Sequence, residues 1–200
     1  MIIAGAGLAG LIAGNIFRNY SPRIIEMQSS LPSNHKAILR FRDQSVSKAT
    51  GIEFKKVKVR KAIAYKGEWL SRSNPKVANL YSIKVTGKVQ SRSCWNLNDA
   101  ERFLSPDDFI MKIAKGLKIN YSETLHKSMF DGQSIISTIP MPAMMDIVGW
   151  KDKPEFPYRS IWSCWCNIKD YDVQVNQTIY YPDLKDPYYR ASFLGNKLIL

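Results

Sequence analysis

The sequence predicts an α/β protein with a parallel βαβ core at its start and an antiparallel, β-rich subdomain inserted into that core. Three observations carry this prediction. Residues 2–26 read as strand, glycine turn, helix, strand and terminal acid. The chain after them breaks into short strands and turns rather than continuing the strict alternation of strand and helix that a plain doubly wound sheet requires. Two strand-like stretches, Lys118–Ser122 and Ser134–Ile139, then return late enough to rejoin the first sheet.

The first element is the most specific. Ile2-Ile3-Ala4-Gly5-Ala6-Gly7-Leu8-Ala9-Gly10 places G-x-G-x-x-G directly after an apolar strand and at the opening of an apolar helix, which is the Rossmann-like context this dinucleotide fingerprint needs. Gly5 permits the tight turn, and Gly7 lets the backbone approach a pyrophosphate. Gly10 lets the helix lie close on the sheet, with Gly14 extending that smooth face. The backbone of Ala6, Leu8 and Ala9 completes a cradle at the positive end of the helix. Glu26, 21 residues past Gly5, stands where a carboxylate can accept hydrogen bonds from both ribose hydroxyls. A carboxylate instead of an arginine at that place argues against a 2′-phosphate and hence against NADP. FAD and NAD remain, and the alternative is a tight βα turn that holds no ligand.

Composition bounds the rest. Two hundred residues with 45% hydrophobic content suit one large domain or two small joined ones. No apolar run approaches the ~18 residues of a membrane span, and no basic segment precedes the first strand as in a signal peptide. Cys94, Cys164 and Cys166 are odd in number and lack metal-ligand spacing, so free thiols and a cytoplasmic location are expected. Cys164-Trp165-Cys166 would set two thiols on one face of a strand. No metal site, nucleophilic triad or paired-carboxylate site is read, and Asp107-Asp108 suit the start of a helix. The net charge of +12 is concentrated in residues 51–92, which hold eleven Lys and Arg against Glu53 and Glu68. Such a block serves as a solvated β face, attracts an anionic small molecule, or binds nucleic acid; the first reading is preferred.

Along the chain, a loop through Pro32 leads to a short strand at Ala37–Phe41 and a helical turn at Ser45–Thr50. Strands are expected at Phe54–Tyr65 and Glu68–Leu70, with a further strand pair over Val77–Val89. The first sustained helix after the fingerprint is expected at Pro106–Leu117, with Ser105 as its N-cap, and a short helix at Pro142–Val148. Strands at Ser160–Ile168, Gln177–Tyr181 and Tyr189–Leu200 close the chain, the last turning at Gly195-Asn196. The expected division is a discontinuous nucleotide-binding domain, 1–50 and 97–145, and a β-rich substrate subdomain, 51–96 and 146–200.

The fingerprint's placement and fourth glycine look like FAD enzymes of the glutathione-reductase and amine-oxidase group. Phe156-Pro157-Tyr158-Arg159-Ser160, then Gln177-Thr178-Ile179-Tyr180-Tyr181-Pro182-Asp183, then Pro187-Tyr188-Tyr189-Arg190, resembles the end of the substrate domain in UDP-galactopyranose mutases. Ile135-Ile136-Ser137-Thr138-Ile139-Pro140 resembles their flavin-adjacent strand, so Thr138 joins the expected cofactor contacts. Asn34-His35 falls near where they carry a flavin-proximal histidine, although the surrounding glycine and second histidine are absent. The resemblance implies a reduced-FAD reaction with no net redox change, with Arg159 meeting a sugar-nucleotide diphosphate and Tyr158, Tyr180 and Arg190 close by. Local alternatives stand beside each role. Arg159 and Arg190 could pair with Asp170, Asp172, Asp183 or Asp186; Tyr180 and Tyr181 could be packing residues; His35 could be an ordinary loop residue. Family members also run longer, with a Gly-rich segment closing over the flavin, so weak flavin binding or help from another chain is expected here.

The resulting expectation is an FAD-dependent oxidoreductase or flavin-dependent mutase acting on an anionic small molecule, a nucleotide-linked one among the candidates. The alternatives are a non-catalytic relative whose basic sheet binds nucleic acid or a protein partner, and an NAD-dependent dehydrogenase. The β-rich insertion argues against the last.

Overall fold

The computed structural model describes residues 1–32, 37–152, 154–156, 161–168 and 175–200. In chain order its elements are β1 (Ile2–Ala4), α1 (Leu8–Ile16), β2 (Arg23–Ile25), β3 (Arg40–Phe41), α2 (Ser45–Thr50), β4 (Lys55–Tyr65), β5 (Glu68–Leu70) and α3 (Pro75–Thr86). They continue with β6 (Ala100–Leu104), α4 (Phe109–Ala114), β7 (Lys118–Asn120), β8 (Ile135–Ser137), α5 (Met141–Val148), β9 (Trp165–Asn167), β10 (Asn176–Tyr180), β11 (Arg190–Leu194) and β12 (Lys197–Ile199). The chain forms two compact units, Met1–His35 with Asp43–Lys55 and Ser105–Tyr158, and Lys36–Arg42 with Lys56–Leu104 and Arg159–Leu200. β3 and β6 therefore belong to the second unit, while residues 51–55 and the end of α5 belong to the first, which shifts the boundaries expected from sequence.

The first unit holds a wholly parallel four-stranded sheet in the order β7-β2-β1-β8. Its central strand, Ile2-Ile3-Ala4, is buried at every position, as expected for a parallel strand covered on both faces. On one face Ile2, Ala4, Ile25 and Leu125 gather Phe130, Ile139, Met144 and Ile147. Helix α1 follows β1 through the glycine turn and buries Gly10, Leu11 and Gly14. The Asn15 amide in α1 donates to the carbonyl of Ile113 at 2.5 Å, tying α1 to α4. Phe54 and Phe109 meet edge to face with ring centroids 5.0 Å apart, a preferred aromatic geometry.

The second unit is built on a sheet ordered β3-β6-β4-β10-β11-β12-β9, with β5 paired to β4. Most pairs are antiparallel, but β10 lies parallel to β4 in the register Ile179↔Ala62, so the sheet is mixed. Helix α3 covers part of it: Val77, Ala78 and Tyr81 form a buried cluster with Ile63, Cys94 and Tyr180.

Helix α3 corrects the strand pair expected at Val77–Val89. The β-branched residues there suggested extended chain, but the end signals prevail. The Asn74 side chain accepts from the N–H of Val77 at 3.0 Å, Pro75 occupies the first turn, and Gly87 ends the helix at φ +77°. These are the favoured residues at each position. The buried residues Val77, Ala78, Tyr81 and Ser82 fall on one helical face. Ser82 donates to the Lys88 carbonyl and accepts from the N–H of Gln90, each at 2.8 Å.

Helix α4 is also shorter than the expected Pro106–Leu117, and Ser105 is buried rather than capping it. Asp108 stands at its N-cap with no capping bond and instead pairs with Lys112 at 3.0 Å. The strand expected at Ala37–Phe41 is confined to β3, and of that expected at Ser160–Ile168 only β9 is extended among the described residues.

The three cysteines are free. Cys164 and Cys166 do share one face of β9 and its approach, with sulfurs 3.9 Å apart. Burial pushes the Cys94 thiol up to about 11, whereas Cys164 is exposed. Iodoacetamide at pH 8 is therefore expected to label Cys164 while Cys94 reacts about a hundredfold more slowly than an ordinary thiol, from its smaller thiolate fraction. Peptide mapping by mass spectrometry reads the order, and early labelling of native Cys94 would contradict the core described here.

Candidate functional site

The turn between β1 and α1 is built by three local devices. Gly5 takes φ +93°, which an L side chain rarely adopts, and its N–H donates to the Ile25 carbonyl at 2.8 Å. The Thr138 hydroxyl, from the end of β8, reaches the carbonyls of Ala4 at 2.7 Å and Gly5 at 3.1 Å. Gly10 then lets α1 start directly on the turn: a Cβ there would lie 1.9 Å from the Gly5 oxygen and 2.9 Å from the Thr138 hydroxyl. Thr138 thus acts on the cradle by holding the turn.

What this assembly leaves open is the space above Gly7. Gly7 is exposed, its backbone is ordinary extended chain at φ −65°, and a Cβ placed on it would meet nothing within 4 Å. It stands at the N-cap of α1, where no side chain caps the helix and no acidic residue occupies the first turn. The first N–H groups of an α-helix have no intrahelical acceptor, so Leu8, Ala9 and Gly10 present donors at the positive end of the helix dipole. The chemistry of this donor set fits a phosphate.

Glu26, immediately after β2, joins the cradle. Its Oε2 accepts from the N–H of Ala6 at 2.7 Å and its Oε1 from the N–H of Gln28 at 2.8 Å. An ionised carboxylate has about four acceptor sites, so two remain for external donors such as ribose hydroxyls. The spacing from Gly5 to Glu26 thus does produce one contiguous group comprising Gly5, Ala6, Gly7, Gly10, Glu26 and Thr138.

The second unit contains a separate polar cleft of about 210 Å³. The sequence-derived residues Tyr180 and Arg190 both line it, along with Arg40 from β3, Lys61 from β4, Arg102 from β6, and the hydroxyl residues Thr178 and Ser192. Tyr180 is also a packing residue, set edge to face on Tyr81 at 5.1 Å. Arg190 makes no ion pair with Asp183 or Asp186; its guanidinium lies 5.6 Å from the Tyr189 ring centroid. His35, Tyr158 and Arg159, together with the alternative partners Asp170 and Asp172, lie outside the described residues.

The basic block of residues 51–92 is not a single sheet, because its later half lies in or after α3. On β4, Val57 and Val59 are buried while Lys56, Lys58 and Arg60 are exposed. Lys56 pairs with Glu101 at 2.7 Å and Lys58 with Asp99 at 3.0 Å. Lys84 in α3 donates to the carbonyls of Tyr181 and Tyr188 at 2.9 and 2.8 Å, and burial lowers its pKa. It organises the Tyr181–Tyr188 turn. Among the described residues no group of His, Cys, Asp and Glu could hold a metal ion. No helix among them is long and apolar enough to cross a membrane.

No family model matches the chain, and no curated protein matches its sequence. Solved structures do match in fold. Reduced UDP-galactopyranose mutase superposes with a TM-score of 0.58 at 11% identity, over 99% of this chain and 72% of that one. A flavoprotein/dehydrogenase from Cytophaga hutchinsonii gives 0.51 at 15% identity, over 99% and 54%. The fold is that of the FAD-dependent flavoproteins. A 2-methyl-3-hydroxypyridine-5-carboxylic acid oxygenase gives 0.51 at 12% identity, over 99% and 56%. The chain thus spans about half the length of the dehydrogenase and the oxygenase.

The sequence missed Arg40, Lys61 and Arg102. Alternation gave no signal for Lys61, which shares the face of the buried Val57 and Val59 rather than that of Lys56, Lys58 and Arg60, and Arg40 and Arg102 occupy paired strands, with Arg40 opposite Leu104. The pairing itself is long-range and leaves no mark in local pattern.

Proposed function

We propose that this chain binds FAD and belongs to an FAD-dependent enzyme, of oxidoreductase or mutase type, that acts on an anionic small molecule. The carrying observation is the open cradle at Gly7, bounded by the positive-φ turn at Gly5, the start of α1 and the Glu26 carboxylate. Gly5, Ala6, Gly7, Leu8, Ala9 and Gly10 receive the pyrophosphate in this reading, Glu26 the ribose, and Thr138 fixes the turn that holds both. FAD, when bound, supplies the electron chemistry that side chains lack. Arg190 and Tyr180 contact the substrate in this reading, and on the strength of the resemblance Arg159 and Tyr158 are proposed for the same task and His35 as a flavin-proximal residue. The free thiols are in keeping with a cytoplasmic protein.

The neutralising partners of Lys56 and Lys58 weigh against a nucleic-acid surface on β4. An equilibrium titration of FAD with the protein, read by flavin fluorescence, tests the reading. Saturable binding of FAD that an equal concentration of NAD does not displace is the expected result. A protein that leaves FAD fluorescence unchanged and instead binds single-stranded nucleic acid with a steep salt dependence would overturn it.

A further inference from the structure

We propose that Cys164 and Cys166 form a reversible dithiol/disulfide site, in which Cys164 attacks a low-molecular-weight disulfide and Cys166 resolves the mixed disulfide that results. This site needs no cofactor and stands apart from the flavin reading.

The pairing of β9 with β12 sets the two thiols side by side. The Cys164 N–H donates to the Leu200 carbonyl at 3.1 Å, and the Cys164 carbonyl accepts from the Leu200 N–H at 3.0 Å. These bonds continue the ladder in which Cys166 faces Leu198. Residues two apart on an extended chain share a face, and the two sulfurs stand 3.9 Å from each other. Alternate residues of a strand have Cα atoms about 6.6 Å apart, near the upper end of the ~4.4–6.8 Å that a disulfide spans. Closing the bond therefore requires the chain to shorten at Trp165. β9 can do so because it is the last strand of its sheet and pairs with β12 alone among the described residues. A bridge that distorts its ladder on an exposed edge belongs to the labile kind that thiols reopen.

Access separates the three thiols. Cys94 is fully buried, Cys166 is half-buried and Cys164 is exposed. Cys164 also lines a cavity of about 540 Å³ walled by Val85, Ile161, Trp162, Pro187 and Tyr188. That volume lies in the ~300–1,000 Å³ range of small-molecule sites, so a small disulfide has room to reach its sulfur. The hydrogen bond with Cys164 holds the Cys166 thiol above its usual pKa, which suits the later, resolving role. The Cys164 thiolate attacks one sulfur of RSSR, the S–S bond breaks and RS⁻ leaves. Cys166 then gives its proton to solvent and attacks the Cys164 sulfur, expelling the second RS⁻. Two protein thiols are oxidised, one external disulfide is reduced to two thiols, and no other oxidant is required.

Incubation of the folded protein with oxidised glutathione, followed by acid quenching, alkylation in denaturant and peptide mapping, tests this. The expected product is an internal Cys164–Cys166 disulfide, with the mass of two hydrogens lost and Cys94 still open to alkylation. Excess reduced glutathione should restore both thiols. Cys166→Ser should stop at a glutathione adduct on Cys164, and Cys164→Ser should lose both the internal disulfide and the rapid adduct. Melting curves show whether each serine variant is folded, and the wild-type map decides alone for one that is not. Stable adducts on both cysteines of the wild type, or a disulfide between two chains in place of the internal one, would overturn the pairing. Adduct formation on Cys166 as fast as on Cys164 in the two variants would overturn the assigned roles. A bridge that persists in excess reduced glutathione would overturn its reversibility.

Discussion

Gly10→Ala is expected to destabilise the first unit by about 3 kcal/mol, the upper part of the usual range for overpacking. For a chain of this size that corresponds to a fall in Tm of roughly 6–12 °C. The sign is informative because the naive expectation is opposite: alanine inside a helix is favoured over glycine by about 1 kcal/mol. Here the added Cβ would stand 1.9 Å from the Gly5 oxygen, and that oxygen cannot withdraw freely. Gly5 is held by its N–H on the Ile25 carbonyl at 2.8 Å and by the Thr138 hydroxyl on its oxygen at 3.1 Å. Relief therefore requires α1 to lift from the turn. Gly14→Ala is a graded control, because its new Cβ would meet only the methyl ends of Ile24 and Leu117 at 2.8 and 2.9 Å, groups that can rotate aside. Melting followed by circular dichroism should rank the variants wild type, Gly14→Ala, Gly10→Ala in falling stability. A Gly10→Ala protein as stable as wild type would mean that α1 does not start where the structure sets it.

The glycine turn was legible because each of its constraints is local. A positive φ at Gly5 and a close helix approach at Gly10 each demand glycine at a fixed offset, whereas the fold makes no such demand at Gly7, where only an incoming ligand would. The hairpin of β11 and β12 was legible for the same reason, through the turn at Gly195 with φ +55°. Helix α3 was misread because the β-branched residues Val77, Ile83, Val85 and Thr86 outweighed its end signals in a propensity reading. Asn74-Pro75 and Gly87 would have identified it. Burial of Tyr81 against Tyr180, 99 residues away in sequence, then fixes the helical face. The cationic cleft was out of reach for a different reason. Arg40 and Arg190 are 150 residues apart, and a two-residue strand paired to β6 brings Arg40 to the site. No periodicity announces so short a strand, and the meaning of its arginine depends on what the rest of the sheet puts beside it.

Gly7→Val separates the cofactor reading from the fold, which Gly10→Ala cannot do. The side chain of residue 7 would project into open space from extended backbone, so the turn can accommodate it. The cost to stability is that of replacing a good N-cap by a poor one, about 1 kcal/mol. The cost to binding is larger, because the isopropyl group occupies the approach by which a pyrophosphate reaches the N–H groups of Leu8, Ala9 and Gly10. Hydrogen bonds to charged groups contribute about 1.5–3 kcal/mol each. Losing two of them weakens FAD binding by about a hundredfold or more. A fluorescence titration of FAD against wild type and Gly7→Val, beside their melting curves, gives both quantities. A folded Gly7→Val protein with undiminished FAD affinity would refute the pyrophosphate assignment. A folded variant that has lost FAD would attribute the binding to the space above one residue, since nothing else in the cradle is altered.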